Sequence, residues 1–457
     1  MFLDKKAQQY RVYSTNVYRE SIDYLHQGVP DIRNPFDVEK LVVLLNTPRA
    51  GSSFLYRVLA ETGCFFTMPG EHTPHYKMCG FAPPFNDFKS DVIPDNFDFT
   101  QNKEKFRELF NYMSIDLIDN DVIPLEGNQD SFTASTFARR FSLQWPDLNI
   151  CFYDLIKIAK TVIEIQAKNL PNHNRASEQL YLYFVKEMEL YTQKQFMHCF
   201  YDNNIFTKDA SCFGDQPPNP NYLLEEAPYI LPTSGQPMLF KDNISKPVLL
   251  KASIDSFKSK LLEYCFPNAD IKYIHLTRNP ASQISALLSG WQSERFHTHN
   301  LNYLDSFEIV DPEAPDRHYD KWWKFELPAN YHELTQATTS LDEIVKQQWL
   351  ETSTHILTFI EDKETKVLKV RYEDLIANED LFMSTLKSIQ NFLGCNFESK
   401  SIKFKSLPPI MSTTPPQKNK WRRREKLILD IINDEQLINV ARTLGYNANQ
   451  LDSMEWC

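Results

Sequence analysis

The chain has 457 residues, 42% apolar, 24% charged and 13% aromatic, which excludes wholesale disorder. A chain of this length buries a sizeable core without disulfides or a structural metal. Its 60 acidic against 49 basic residues give a net charge of −11, opposite in sign to a surface built to coat nucleic acid or an anionic membrane, although a local basic pocket for a small anion is compatible with it.

Met1 to Gly28 carry no apolar run flanked by basic residues, so no signal peptide is expected. No stretch reaches the roughly 18 apolar residues of a membrane span. The eight Cys are scattered, without Cys-x-x-Cys or zinc-like spacing, which points to reduced thiols in a cytoplasmic protein. Lys40 to Asn46 (KLVVLLN) reads as a strand buried on both faces. The turn Thr47-Pro48-Arg49-Ala50-Gly51 follows. Ser52 to Thr62 then reads as a helix with Phe54, Leu55, Val58 and Leu59 on one face.

Between residues 80 and 240, Pro- and Asn-rich patches (Pro83-Pro84, Pro217 to Asn221) alternate with helical stretches such as Ser177 to Phe196. This predicts a long, mainly helical insertion covering the substrate side of a ligand crevice, because long insertions beside such a crevice usually shape access to it. Strand signals resume at Pro247–Lys251 and Ile271–Thr277, with a helix, Ser256–Cys265, between them. Another helix starts near Pro280, which suits a first helical turn. A smaller irregular insertion, 292–335, carries Trp322-Trp323, which with Trp291 are more often core packing than a binding platform. Leu341–Ile360 reads as a long helix, Lys366–Tyr372 as a strand, and Asp380–Leu393 as a helix capped by Gly394. The alternation predicts one domain over 1–457: a three-layer α/β/α fold with a central parallel sheet, its strands near 41–46, 247–251, 271–277 and 366–371.

The strongest chemical signal is Asn46 to Phe54 (NTPRAGSSF). A small-residue loop that leaves a parallel strand and opens a helix gathers backbone N–H groups and the positive end of the helix dipole. Ser52 and Ser53 add hydroxyl donors, Arg49 a planar charged fork, and Gly51 a close backbone approach. It is not a Walker A loop, since the Gly-Lys-Ser/Thr ending is missing. A second signal is Tyr273 to Pro280 (YIHLTRNP), which places Arg278 at a strand's carboxyl end, facing the ligand crevice of an open sheet.

Pro48-Arg49-Ala50-Gly51-Ser52-Ser53 resembles the 5′-phosphosulfate loop of sulfotransferases that use 3′-phosphoadenosine 5′-phosphosulfate (PAPS), with a small substitution at Ala50. The resemblance implies a P-loop-like sulfotransferase fold. It places Arg49, Ala50, Gly51, Ser52, Ser53 and Phe54 around the sulfate and 5′-phosphate. Arg278 resembles the Arg of the 3′-phosphate motif. The helical Ser of that motif falls on Ala286 here, so Ser285 or Ser282 takes its place. Pro69-Gly70-Glu71 resembles the Gly-Glu segment of tyrosylprotein sulfotransferases, which makes Glu71 the base. Lys251, ending its strand, would steady the sulfonate in flight. Tyr372 in Arg371-Tyr372-Glu373-Asp374 would border the adenine. Lys420, Trp421 and Arg422 within Lys418–Arg424 would form a lid on the nucleotide.

The chemistry agrees with these residue types. Moving a sulfonate in line between oxygens needs positioning and charge stabilisation more than covalent help. A carboxylate can take the proton of an attacking hydroxyl, and Arg49 and Lys251 can offset charge that builds in transit. The expected reaction is therefore transfer from PAPS to a hydroxyl, or second to it an amine, of a small-molecule, carbohydrate or peptide acceptor. No metal, nucleic acid or membrane insertion is expected. Alternatives stay open at this level. His72 or His75 could be the base, and Glu71 a solvated loop carboxylate. Lys251 could be an ordinary strand-end charge, and Trp421 a helix start. A nucleotide-dependent kinase or NTPase, or an inactive scaffold, are the competing functions.

Overall fold

The computed structural model describes residues 5–27, 37–119, 129–167, 178–196, 236–238, 246–293, 296–301, 308–317, 319, 322–335, 338–361, 363–395, 412 and 417–447. The Pro217 to Asn221 patch lies outside them. In chain order the first elements are α1 (Lys5–His26), β1 (Lys40–Leu45), α2 (Ser52–Ala60), β2 (Phe66–Thr67), α3 (Thr73–Met78), α4 (Lys103–Asp116) and β3 (Ile118–Asp119). Next come α5 (Gln129–Gln144), α6 (Phe152–Ala167), α7 (Glu178–Thr192), β4 (Gln236–Pro237), β5 (Val248–Leu250), α8 (Asp255–Cys265), β6 (Asp270–Thr277) and α9 (Pro280–Trp291). Then follow β7 (His297–Asn300), β8 (Glu308–Val310), β9 (Trp322–Lys324), α10 (Tyr331–Leu334), β10 (Thr338–Ser340) and α11 (Leu341–Ile360). The last are β11 (Val367–Arg371), α12 (Tyr372–Ile376), α13 (Glu379–Leu393), α14 (Glu425–Ile432) and α15 (Glu435–Thr443).

A central, mostly parallel sheet runs in the order β11-β6-β1-β5-β2-β3-β4. Its first five strands are parallel, with Leu45 beside His275 and Val43 beside Leu250. The pair β3–β4 closes one edge antiparallel. Strand β1 shows why the run KLVVLL is apolar throughout. Leu41, Val43 and Leu45 pack on one face with Phe106, Leu109 and Phe110 of α4 and Leu261 and Leu262 of α8. Val42 and Leu44 pack on the other with Leu55, Val58 and Leu59 of α2 and Phe382, Leu386 and Ile389 of α13. A strand with helices over both faces has no polar side to alternate with.

The four strands expected from apolar runs lie within a residue or two of their expected bounds. The sheet is wider than that expectation. Strands β2, β3 and β4 are two residues each, too short to display any periodicity, and backbone pairing joins them to the sheet. The stretch 80–240 contributes α4 to α7, and it also supplies the sheet's antiparallel edge. Helices α5, α6 and α7 bury their apolar faces against one another around Phe137, Phe141, Leu155 and Phe184, with Val17 of α1. Between 292 and 335, β7 pairs antiparallel with β9, while β8 pairs parallel with β10, which lies just beyond that stretch. Trp291 and Trp323 meet edge to face in the core, 5.3 Å between ring centres. Among the described residues no helix is long and apolar enough to cross a membrane.

Candidate functional site

Parallel strands deliver all their carboxyl ends to one edge of the sheet. Here five neighbours do so, and the segment just after each carries one of the residues singled out in the sequence. Arg49 follows β1, Glu71 follows β2, Lys251 follows β5, Arg278 follows β6 and Tyr372 follows β11.

The β1–α2 loop is held from several sides. Asn46 Nδ2 donates to the Thr47 carbonyl at 2.9 Å, and Ser256 Oγ donates to the Asn46 carbonyl at 2.7 Å. Arg49 and Gly51 both take left-handed backbone conformations, φ 66° and 97°. These two turns swing the chain into α2, whose first N–H bonds run from Phe54 and Leu55 to the Gly51 carbonyl. Gly51, at the N-cap of this nine-residue helix, has no side chain to bond its first N–H groups. A Cβ at Gly51 would run into the ring of Tyr372. That ring also meets Phe54 edge to face at 6.4 Å. Ala50 is fully buried beneath the loop, and Ser52 is buried beside it.

Cations crowd this edge. Arg278 Nη1 donates to the Arg49 carbonyl at 3.0 Å, and its guanidinium lies 4.9 Å from the centre of the Tyr372 ring. The Arg49 guanidinium lies 4.8 Å from that of Phe296, just ahead of β7. Burial, and then the nearby charge of Arg278, push the Arg49 pKa down to about 10. Burial and the charges of Arg423, Arg49, Arg424 and Arg278 push Lys420 down to about 8. Lys420 therefore belongs to the same cationic cluster although it lies far along the chain. Its neighbours divide differently. Trp421 is buried in the core that contains Trp291 and Trp323. Arg422 is exposed, lies 5.0 Å from the Trp421 ring and pairs with Glu425 at 2.8 Å. On α9, Ser282 lies in the first turn and Ser285 about one turn further in, and both are buried.

On the other side of the loop, Lys251 Nζ donates to Ser53 Oγ at 3.1 Å and forms an ion pair with Glu71. Lys251 is buried, while Glu71 stays 29% exposed, enough to meet a reactant from outside. Glu71 also lines a cleft walled by Tyr18 of α1, His75 of α3, Asp116 of α4, and Arg139 and Arg140 of α5. The stretch 80–240 thus borders the carboxylate directly. His72 and His75 are both buried on carboxylates: His72 Nε2 lies 2.8 Å from Asp255 Oδ1, and His75 Nε2 lies 2.9 Å from Asp116 Oδ2. Burial alone would raise the Asp116 pKa. Arg139 and His75 outweigh it and hold the group at about 2.

Three contributors had no local signal. Gln283 of α9 donates through Nε2 to the Pro48 carbonyl at 2.9 Å and to the Thr47 carbonyl at 3.2 Å, and reaches Thr47 Oγ1 as well. Phe296 lies in an irregular stretch. Asp255 opens α8 as an ordinary first-turn carboxylate. Each acts across more than 150 residues of chain, beyond the reach of spacing arguments.

The family model described as the sulfotransferase domain matches residues 40–407, which takes in every strand of the sheet and the segments that follow them, and ends before Lys420–Arg424. No curated protein sequence matches the chain. Among solved structures, the sulfotransferase domain from the curacin biosynthetic pathway matches with 14% identity, covering 90% of this chain and 99% of that one, at a TM-score of 0.36. With the family model spanning most of its length, this chain belongs to the sulfotransferase domain family, whose members transfer sulfonate groups.

Proposed function

We propose that the protein transfers a sulfonate from PAPS to a hydroxyl group of an acceptor that enters beside Glu71. The observation that carries this reading is the convergence of Arg49, Arg278 and Lys251 with Glu71 on the loops of neighbouring parallel strands. The residues suit such a donor. The depressed cations Arg49 and Lys420, each beside the charge of Arg278, are relieved by a bound anion, and the start of α2, with glycine at its N-cap, offers its N–H groups to the same charge. When bound, PAPS supplies the sulfonate and leaves as adenosine 3′,5′-bisphosphate.

The residues would divide the work as follows. Arg49, Ser52, Ser53 and the start of α2 hold the phosphosulfate end. Arg278, with Ser282 or Ser285 on α9, holds the 3′-phosphate. Tyr372 and Phe54 border the nucleoside. Lys251, bridging Ser53 and Glu71, balances negative charge that builds on the moving group. Glu71 accepts the proton of the attacking hydroxyl, a contribution typically worth ~10² to 10⁴ in rate. Lys420 adds charge to the cluster, whereas Arg422, ion-paired on the surface, contributes least among the lid residues.

Calorimetry with adenosine 3′,5′-bisphosphate tests the reading. Arg49→Ala and Arg278→Ala should each remove about 1.5–3 kcal/mol of affinity, roughly ten- to a hundredfold, as expected for hydrogen bonds to a charged group. Binding that survives both changes together would remove the donor site.

A further inference from the structure

We propose that Asp255 is a positioning residue that holds Glu71 against Lys251, an inference that rests on reading those two as the acting pair. Asp255 is the first residue of α8 and is fully buried. Its Oδ1 lies 2.8 Å from His72 Nε2 and accepts from Tyr76 Oη, also at 2.8 Å. Its Oδ2 accepts from the backbone N–H of Ala252 at 3.1 Å. His72 is the residue next to Glu71, and Ala252 is the residue next to Lys251. One carboxylate therefore ties together the two backbone segments that present the ion pair, although they are about 180 positions apart in the sequence.

The three donors explain how a buried carboxylate is tolerated, and they make the node stiff. Charge-assisted hydrogen bonds are shorter and stronger than neutral ones, and burial strengthens them further. His72, Tyr76 and Ala252 have no exposed surface. The His72 imidazole must carry its proton on Nε2 to bond Asp255, so the carboxylate fixes both the tautomer and the ring orientation. Tyr76 is one helical turn beyond His72, and its hydroxyl lies 3.3 Å from His72 Nε2, which closes the triangle. Reactive groups held within a few tenths of an ångström depend on such supporting contacts. A role confined to packing would not require three donors from both flanks of one ion pair to meet on a single carboxylate.

The test needs no acceptor. Full-length protein is briefly treated with acetic anhydride, and acylation is read at each lysine by peptide mass spectrometry. Lys251 in its ion pair should react little. Glu71→Gln should raise its labelling several-fold, and Asp255→Asn and His72→Phe should do the same. His72→Gln, whose amide can still donate to Asp255, should stay near the unmodified protein. Labelling at Lys246, which precedes β5 and pairs with Asp119 of β3, reports whether each variant is folded. If Asp255→Asn proves unfolded, the His72→Phe and His72→Gln pair decides. Equal labelling of Lys251 in those two overturns the proposal, and so does a rise in Glu71→Gln that neither Asp255→Asn nor His72→Phe shares. An unchanged Lys251 in Glu71→Gln overturns it too, by removing the ion pair itself. Failure of the unmodified chain to bind adenosine 3′,5′-bisphosphate is a separate result: it counts against the donor reading and leaves the labelling comparison standing.

Discussion

At the scale of single residues, the loop after β1 concentrates backbone conformations that most side chains avoid. Gly51 adopts φ 97° with the Tyr372 ring lying where a Cβ would go. Arg49, two residues earlier, takes φ 66° without glycine's freedom. A left-handed conformation costs a non-glycine residue roughly 1–2 kcal/mol, so the surrounding contacts must over-determine it. Gly51→Ala should therefore lower the urea midpoint by an amount corresponding to about 2 kcal/mol or more, strain and ring displacement together. Adding Tyr372→Ala should recover the part due to the ring and leave the part due to φ. A Gly51→Ala protein that melts with its parent would mean that the loop relaxes freely. The need for Gly51 was legible in the sequence, because a small residue stood between a strand and a helix. The left-handed Arg49 was not, because its conformation depends on Arg278 and Phe296, more than 200 residues away.

At the scale of elements, the sequence announces whatever is long and periodic. Strand β1, helix α11 and helix α13 with its Gly394 cap are read from apolar runs, period and terminal chemistry, and the structure has them. Helix α9 starts at Pro280 as expected. Its start is further fixed by Asn279, whose side chain accepts from the N–H groups of Ala281 and Ser282. What local pattern misses is how α9 serves the site. Gln283 bonds the Thr47 and Pro48 carbonyls through its amide nitrogen, and its amide oxygen accepts from Trp349 Nε1 of α11 at 3.0 Å. This one side chain braces the anion loop against two helices. Gln283→Ala takes the amide donor from the Pro48 carbonyl and the acceptor from Trp349 Nε1, both buried, at a cost of about 1–3 kcal/mol. It should also weaken adenosine 3′,5′-bisphosphate binding, although Gln283 is assigned no contact with the nucleotide. Chemical unfolding and calorimetry on the same variant check both effects. A stability loss with unchanged affinity would mean that the loop keeps its shape without the brace. The two-residue strands β2 to β4 escaped the sequence for a related reason, since their pairing is carried by backbone and their position by the elements around them.

At the scale of the whole molecule, charge is buried deep beside the site, and its titration should be visible in stability. Asp91, Lys258 and His299 form a fully buried cluster between α8 and the 292–335 segment, with His299 Nε2 2.8 Å from Asp91 Oδ2 and Lys258 Nζ donating to the Asp91 carbonyl at 2.7 Å. Glu326 lies in the same region, and one of its carboxylate oxygens is buried without a hydrogen-bond partner among the described residues. Burial raises its pKa to about 8. Ser253 opposes the shift, and the charges of Glu71 and Asp91 add to it. The sign of the consequence follows from proton linkage. With its folded-state pKa above that of the unfolded chain, Glu326 binds more protons when folded. Its contribution to stability is complete below the unfolded value of 4.5 and is lost as pH rises towards about 8. Burial depresses the pKa of His275 and His299, and these residues act in the opposite sense as pH falls below their usual range, so the slope of the unmodified protein mixes both effects. The comparison with Glu326→Gln isolates one of them. At pH 5 both proteins hold a neutral side chain at position 326 and should melt close together. By pH 8 the variant should melt several degrees higher, because the parent must keep a carboxyl group protonated or bury its charge. A melting difference that stays constant from pH 5 to pH 8 would show that Glu326 titrates in the folded protein as it does in the unfolded chain. It would also mean that the wall between the 292–335 segment and Glu71 is more polar than its buried side chains imply.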